Sequence, residues 1–260
     1  MSDWVDHVNW AQPWLVPWRE VGAPVAVALR HGLPLHEALN RQHMSPLRFI
    51  PQGEMPSGMA YEAYIFQHQQ CPVRDGLHDF FNGLCWMRFP QTKRHLNRLQ
   101  AAQIAVQRVS APRGALRDAI TVFDENAAVM QAPQALWDAL QAKEWHRLFV
   151  TLRPLWAEAQ VFLFGHALLE KLVSPRKAMV AHVYRMDGLN LIANSPLNGS
   201  IADTFLAENL TATVLAKKPF LPLPVLGVPG WWADNDAPGF YDDSAVFRLQ
   251  KLGISSPSNT

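Results

Sequence analysis

The chain has 260 residues, 49% of them hydrophobic and 17% charged, with a formal net charge of +1. That length and composition suit a folded domain with a sizeable core and exclude a disordered chain. The near-zero charge supplies no global drive toward nucleic acid or an anionic membrane, so any polyanion site must be a local patch. No apolar stretch approaches the ~20 residues that a membrane helix needs. The start, MSDWVDHVNWAQPW, lacks the basic-then-apolar order of a signal peptide. The only cysteines, Cys71 and Cys85, form no CxxC or Cys/His spacing, which argues against a cysteine zinc site and a disulfide framework. A cytoplasmic protein is the expectation.

In chain order, the first 20 residues form an aromatic arm, with WAQPWLVPW at Trp10 to Trp18. Proline removes a backbone donor and restricts its predecessor, so this arm and FLPLPVLGVPGWW (Phe220 to Trp232) read as extended wraps. Leu35 to Gln42 suggests a short helix. Leu47 to Ile50 and Tyr61 to Gln67 suggest strands around a proline- and glycine-rich turn. After Asp75-Gly76, helical spacing runs from Leu77 to Phe89 and, past Pro90, from Gln91 to about Arg108. Leu116 to Phe123 is assigned to a strand on its β-branched pair Thr121 and Val122, ending in an Asp124-Glu125-Asn126 turn.

Helices are expected at Gln134 to Gln141 and Lys143 to Leu152. The clearest helix is expected from Pro154 to Val173, closed by Ser174-Pro175. A strand at Ala181 to Met186 and a helix at Ile201 to Leu210 follow, and residues 250–260 read as a flexible tail. With no repeat and no linker, the expectation is one α+β domain over residues 1–260. It is helix-rich, with a small sheet and long proline-rich extended segments.

Three constellations carry candidate chemistry. His78 and Asn82 are four apart on one helix face, with Asp79 beside them. His166 and Glu170 are also four apart, followed by Lys171; at that spacing both can bind one divalent ion, or the carboxylate can orient the imidazole as a base. Asp124, Glu125 and Asn126 supply three oxygen-bearing side chains in succession. Together these groups suit Zn²⁺, Mn²⁺ or Fe²⁺. Bland roles compete with this. Asp79 in a first helical turn complements the helix dipole, His166 lies among apolar neighbours like a core histidine, and Asp-Glu-Asn is common turn chemistry.

A fourth feature is charge: Arg88, Lys93, Arg94, Arg98, Arg108, Arg113 and Arg117 follow one another with no acid between Asp79 and Asp118. Such a strip suits a phosphate-bearing ligand or nucleic acid, and equally a solvated helix face. Cys85, on the apolar face with Phe81 and Phe89, reads as inert packing. The chain has no GxSxG, Walker loop or Rossmann glycine pattern, and a lone His-Asp doublet is weak evidence for an HD-type phosphohydrolase.

The segments HDFFNGLCWMRFPQTKRHLNRLQ (His78 to Gln100), TVFDENAAV (Thr121 to Val129), FGHALLEKL (Phe164 to Leu172), PLPVLGVPGWW (Pro222 to Trp232) and FYDDSAVFR (Phe240 to Arg248) resemble the proteobacterial Domain of Unknown Function 3025 family. The resemblance spans nearly all of the chain after the first arm and implies one folded unit, with no implied reaction. Gly83 stands where the family pattern has alanine, and Ala127 where it has glycine, which makes a tight left-handed turn at 127 less certain.

The residues favour a metal-dependent hydrolase of a phosphorylated or other anionic substrate, with metal-activated water as nucleophile. His78, Asp124, His166 and Glu170 would hold the metal. His78, Asp79, Asn82 and Glu125 would serve the reaction, and Lys93, Arg94, Arg98 and Lys171 would bind the anion. The rival is a non-catalytic binding protein for nucleic acid or a phosphorylated ligand, using the basic strip and its aromatic surface. Whether His78, Asp124 and His166 converge is the deciding observation.

Overall fold

The computed structural model describes residues 3–106, 114–187, 199–237 and 239–248. Two short 3-10 turns, Asp3–His7 and Val16–Trp18, lead into α1 (Arg19–Arg30) and α2 (Leu35–Asn40). There follow β1 (Arg48–Pro51), α3 (Tyr61–His68), β2 (Gln70–Val73), α4 (Leu77–Arg88), α5 (Pro90–Val106) and α6 (Ala115–Asn126). The chain continues through β3 (Ala127–Gln131), α7 (Gln134–Ala142), β4 (Gln160–Leu163), α8 (His166–Lys171) and β5 (Val180–Arg185). It ends with α9 (Gly199–Asn209), α10 (Ala212–Ala216), β6 (Phe220–Pro224) and brief 3-10 turns.

The fold is α+β. One sheet has the order β4-β3-β5-β6, with β3 parallel to β5 and the outer pairs antiparallel; β1 and β2 form a second, parallel pair. The central β3 is apolar and fully buried from Ala127 to Met130, as expected of a strand covered on both faces. Ala127 is extended there (φ −81°, ψ 152°), so no left-handed turn occurs at this position.

The N-terminal arm belongs to the core. Trp14 and Trp18 are buried, and their indole N–H groups donate to the carbonyls of Leu172 and Leu163 at 3.2 and 3.1 Å. Burying an indole this way removes a large apolar surface from water and still satisfies its one donor. The arm is built of turns and leads into a helix, α1, instead of running extended as its prolines suggest.

Four further elements differ from the sequence expectation. Tyr61–His68 is a helix, not a strand, because Tyr64 and Ile65 turn inward while Asn97 of α5 donates to the Glu62 carbonyl. Ala115–Asn126 is helical, because Ala119, Ile120 and Phe123 form one buried face that outweighs the strand preference of Thr121 and Val122. The long helix expected over 154–173 is a 3-10 turn (Arg153–Glu158), then β4, then α8. Its apolar run pairs with β3, with Leu163 opposite Ala128 and Val161 opposite Met130. The helix expected over 143–152 shrinks to a π turn at Arg147–Thr151.

Gly165 makes the sharp passage from β4 to α8 possible. A Cβ there would lie 2.4 Å from the backbone nitrogen of Asn126 and 2.5 Å from the Glu125 carbonyl group. The N–H groups of Phe164 and Gly165 both donate to the Ala127 carbonyl. This close backbone approach sets His166 against the end of α6.

Candidate functional site: edge-to-face imidazoles over a buried lysine–aspartate pair

α4 and α8 pack side by side, which brings His78 and His166 together edge to face with ring centroids 4.7 Å apart. The last turn of α6 carries Asp124 beneath them. His78 Nδ1 lies 2.9 Å from Glu170 Oε2, and the side chains are 41% and 37% exposed. A carboxylate accepts, so Nδ1 of His78 carries a hydrogen, and in the neutral ring Nε2 holds the lone pair.

His166 is buried, and its Nδ1 donates to the Asp124 backbone carbonyl at 2.8 Å. A carbonyl can only accept, so this ring too has its hydrogen on Nδ1. Burial pushes the His166 imidazole down to about 4, with the nearby Asp124 carboxylate opposing in part. His166 is therefore neutral near pH 7, with the lone pair on its Nε2.

Below them lies a charge pair largely withdrawn from water. Lys93 Nζ is 2.6 and 2.8 Å from the two carboxylate oxygens of Asp124 and 2.9 Å from Asn82 Oδ1. Its three ammonium donors are thus spent inside the protein, and the Trp86 ring lies 5.4 Å away. Burial pushes the Lys93 ammonium down most, but Asp124, Cys85 and Glu62 together outweigh it and hold the lysine above its usual range. Burial likewise pushes Asp124 up, and Lys93 followed by His166 brings it below the usual carboxylate range. The network continues from Asn82 Nδ2 to the Tyr61 hydroxyl at 3.4 Å, and Tyr61 lies 3.2 Å from Cys71 Sγ. Burial pushes the Cys71 thiol up to about 12 and raises that of Cys85 as well, so both remain protonated packing groups.

The residues expected to share a site therefore divide. His78, His166, Glu170 and Asp124 do converge. Asp79 faces away from His78: its carboxylate accepts from the Arg74 backbone N–H at 2.7 Å and from Arg74 Nε at 3.2 Å, closing the turn before α4. Asn82 is held by Lys93, and Lys93 is locked on Asp124 instead of facing an incoming anion. Glu125 is exposed. Both Asp124 oxygens are occupied by an ammonium, and among the described residues no group of three or more His, Cys, Asp and Glu side chains is arranged to hold a metal ion.

The basic strip does not form one surface. Arg94 and Arg98 are exposed, with Arg94 donating to the Pro46 carbonyl and Arg98 bonded to His95, whereas Lys93 is buried. Arg108 and Arg113 lie outside the described residues.

Glu170 also lines an open cleft of about 840 Å³ with Leu77, Lys171, Ser174, Arg176 and Trp232. Lys171 and Arg176 are both exposed at this cleft. Lys171 was legible in the sequence as a neighbour of Glu170. Arg176 and Trp232 were not, because only the turn after α8 and the C-terminal wrap bring them there.

The geometry defines an α+β protein whose paired helices present an imidazole–carboxylate couple above a buried ion pair. The chain belongs to the family described as "Protein of unknown function (DUF3025)", whose model matches residues 47–251. No curated protein and no solved structure matches it.

Proposed function

We propose that this protein is a hydrolase that uses general acid–base catalysis on a small anionic ester. The observation that carries this reading is the His78–Glu170 couple at 2.9 Å, half-exposed, with Glu170 lining a cleft that also holds Lys171 and Arg176. Glu170 holds the His78 ring in one tautomer, leaving Nε2 to take a proton from water as the water oxygen attacks the ester. The same nitrogen then returns the proton to the departing alkoxide. Lys171 and Arg176 hold the anionic group, and Trp232 offers an apolar wall for the remainder.

A metal-assisted form of this reading would place Zn²⁺, Mn²⁺ or Fe²⁺ on the Nε2 atoms of His78 and His166, with Glu170 orienting the His78 ring and without Asp124, whose oxygens Lys93 already holds. The test is a panel of nitrophenyl phosphates and carboxylate-bearing nitrophenyl esters, assayed with and without each metal and with chelator. The expected result is turnover that survives chelation, falls ~10²–10⁴-fold in His78→Gln, and loses competition by inorganic phosphate in Lys171→Ala with Arg176→Ala. Turnover unchanged in His78→Gln, or none on any ester, would overturn the proposal. Turnover abolished by chelator and restored by one metal would favour the metal-assisted form.

A further inference from the structure

The two tryptophan- and proline-rich segments that stand out in the sequence meet in the structure. Between them lies a cavity of about 640 Å³, walled by Pro13, Val16, Trp156, Phe162, Pro229 and Trp231. It is distinct from the cleft beside Glu170: Trp231 lines this cavity, and the next residue, Trp232, lines the other. The volume falls within the ~300–1,000 Å³ typical of small-molecule sites. The prolines among the lining residues fix their own φ angles, which lowers the ordering cost a ligand meets.

Two charged side chains also line it, beside the polar Gln160. Arg88, the last residue of α4, reaches it with its guanidinium 5.5 Å from the Phe162 ring centroid, and its Nε is buried without a hydrogen-bond partner. Glu20, in the first turn of α1, lines the same cavity. Among the described residues neither side chain makes a hydrogen bond or an ion pair within 4.0 Å, with the other or with anything else. They nonetheless feel each other: burial pushes the Arg88 guanidinium below its usual range, and the Glu20 charge opposes that shift.

A half-buried guanidinium with unspent donors, set among aromatic rings, is the standard partner of a carboxylate, which it can grip with two parallel bonds. Glu20 works against a second negative charge in the same space, which disfavours a phosphate dianion. It also supplies an acceptor for an ammonium group. An apolar ring is what the remaining walls can bury. These three requirements select one chemical class.

We infer that this cavity binds an α-amino acid with an aromatic side chain, its carboxylate on Arg88, its ammonium toward Glu20 and its ring among Trp156, Phe162 and Trp231. The inference is independent of the proposed hydrolysis, because the two sites share no lining residue.

The experiment titrates the full chain by calorimetry with L-tryptophan, with indole-3-propionate, which lacks the ammonium, and with tryptamine, which lacks the carboxylate. One L-tryptophan should bind per chain, with a Kd below about 1 mM, and each truncated analogue should bind at least about tenfold more weakly. Arg88→Met keeps an apolar stem over Phe162 and should weaken L-tryptophan binding by about 10- to 100-fold. Glu20→Gln alters an exposed side chain, so the fold is preserved; it should weaken L-tryptophan and leave indole-3-propionate bound as tightly or more tightly. His78→Gln, which removes the proposed catalytic base, should leave tryptophan binding intact. Absence of saturable L-tryptophan binding would overturn the inference, as would equal affinity for indole-3-propionate. If Arg88→Met fails to fold, Glu20→Gln decides alone: no change for L-tryptophan, or an equal loss for both ligands, overturns it.

Discussion

Two neighbouring side-chain pairs, His78–Glu170 and Lys93–Asp124, differ chiefly in access to water. His78 and Glu170 sit half in solvent, whereas Lys93 and Asp124 are 5% and 17% exposed with every ammonium donor satisfied. In water an ion pair gains little and exchanges easily, so an exposed couple is free to move a proton. Out of water, separating the charges leaves one of them stranded, so the buried pair acts as a structural pin. The pin holds the end of α6, whose Asp124 carbonyl in turn fixes the His166 ring. The comparison teaches that residue type alone assigns neither role. Depth does.

Removing one charge of the pin should have the largest effect. Lys93→Met leaves Asp124 buried without a partner and should destabilise the fold by about 3–5 kcal/mol, read by urea denaturation. Adding Asp124→Leu should recover most of that loss, since the double variant buries no charge; a double variant as unstable as the single would break the contrast.

A smaller effect is expected at His166. Its imidazole stays neutral in the native protein down to about 4, against an ordinary value of 6.5. Between these values the unfolded chain binds a proton that the native chain does not, so this contribution is complete above pH 6.5 and is lost as pH falls to about 4. It amounts to at most about 3 kcal/mol. His166→Asn keeps a donor for the Asp124 carbonyl and removes the titration. The difference between wild type and variant stability across this window should show the slope, free of the opposing contribution of Glu62, which burial raises. Parallel curves would show that His166 is not the group held neutral.

The smallest stability change belongs to the exposed couple. Glu170→Gln should shift stability by no more than about 1 kcal/mol while lowering turnover through the loss of His78 orientation. A large melting shift in Glu170→Gln would make this couple structural as well and erase the distinction.

Local patterns in the sequence determined a good deal of this. Helical spacing placed α4 and α5 to within a residue or two where the structure describes them, because their buried faces repeat at helical intervals and Asp75-Gly76 and Pro90 punctuate them. The same spacing put His78 beside Asn82 and His166 beside Glu170, since four residues make one turn whatever surrounds the helix. The family resemblance was also written in the chain itself. What only the tertiary structure decided were the short elements and the partnerships across them. Val161 to Phe164 is an apolar run that suits a helix or a strand equally, and pairing with β3 made it a strand; Thr121 and Val122 entered a helix because their neighbours Ile120 and Phe123 had a core to face. Nothing local could tell that Lys93 would meet Asp124 inside the protein while Lys171 remained outside. Desolvation and charge pairing depend on which surfaces are pressed together, and that is settled by packing between distant segments.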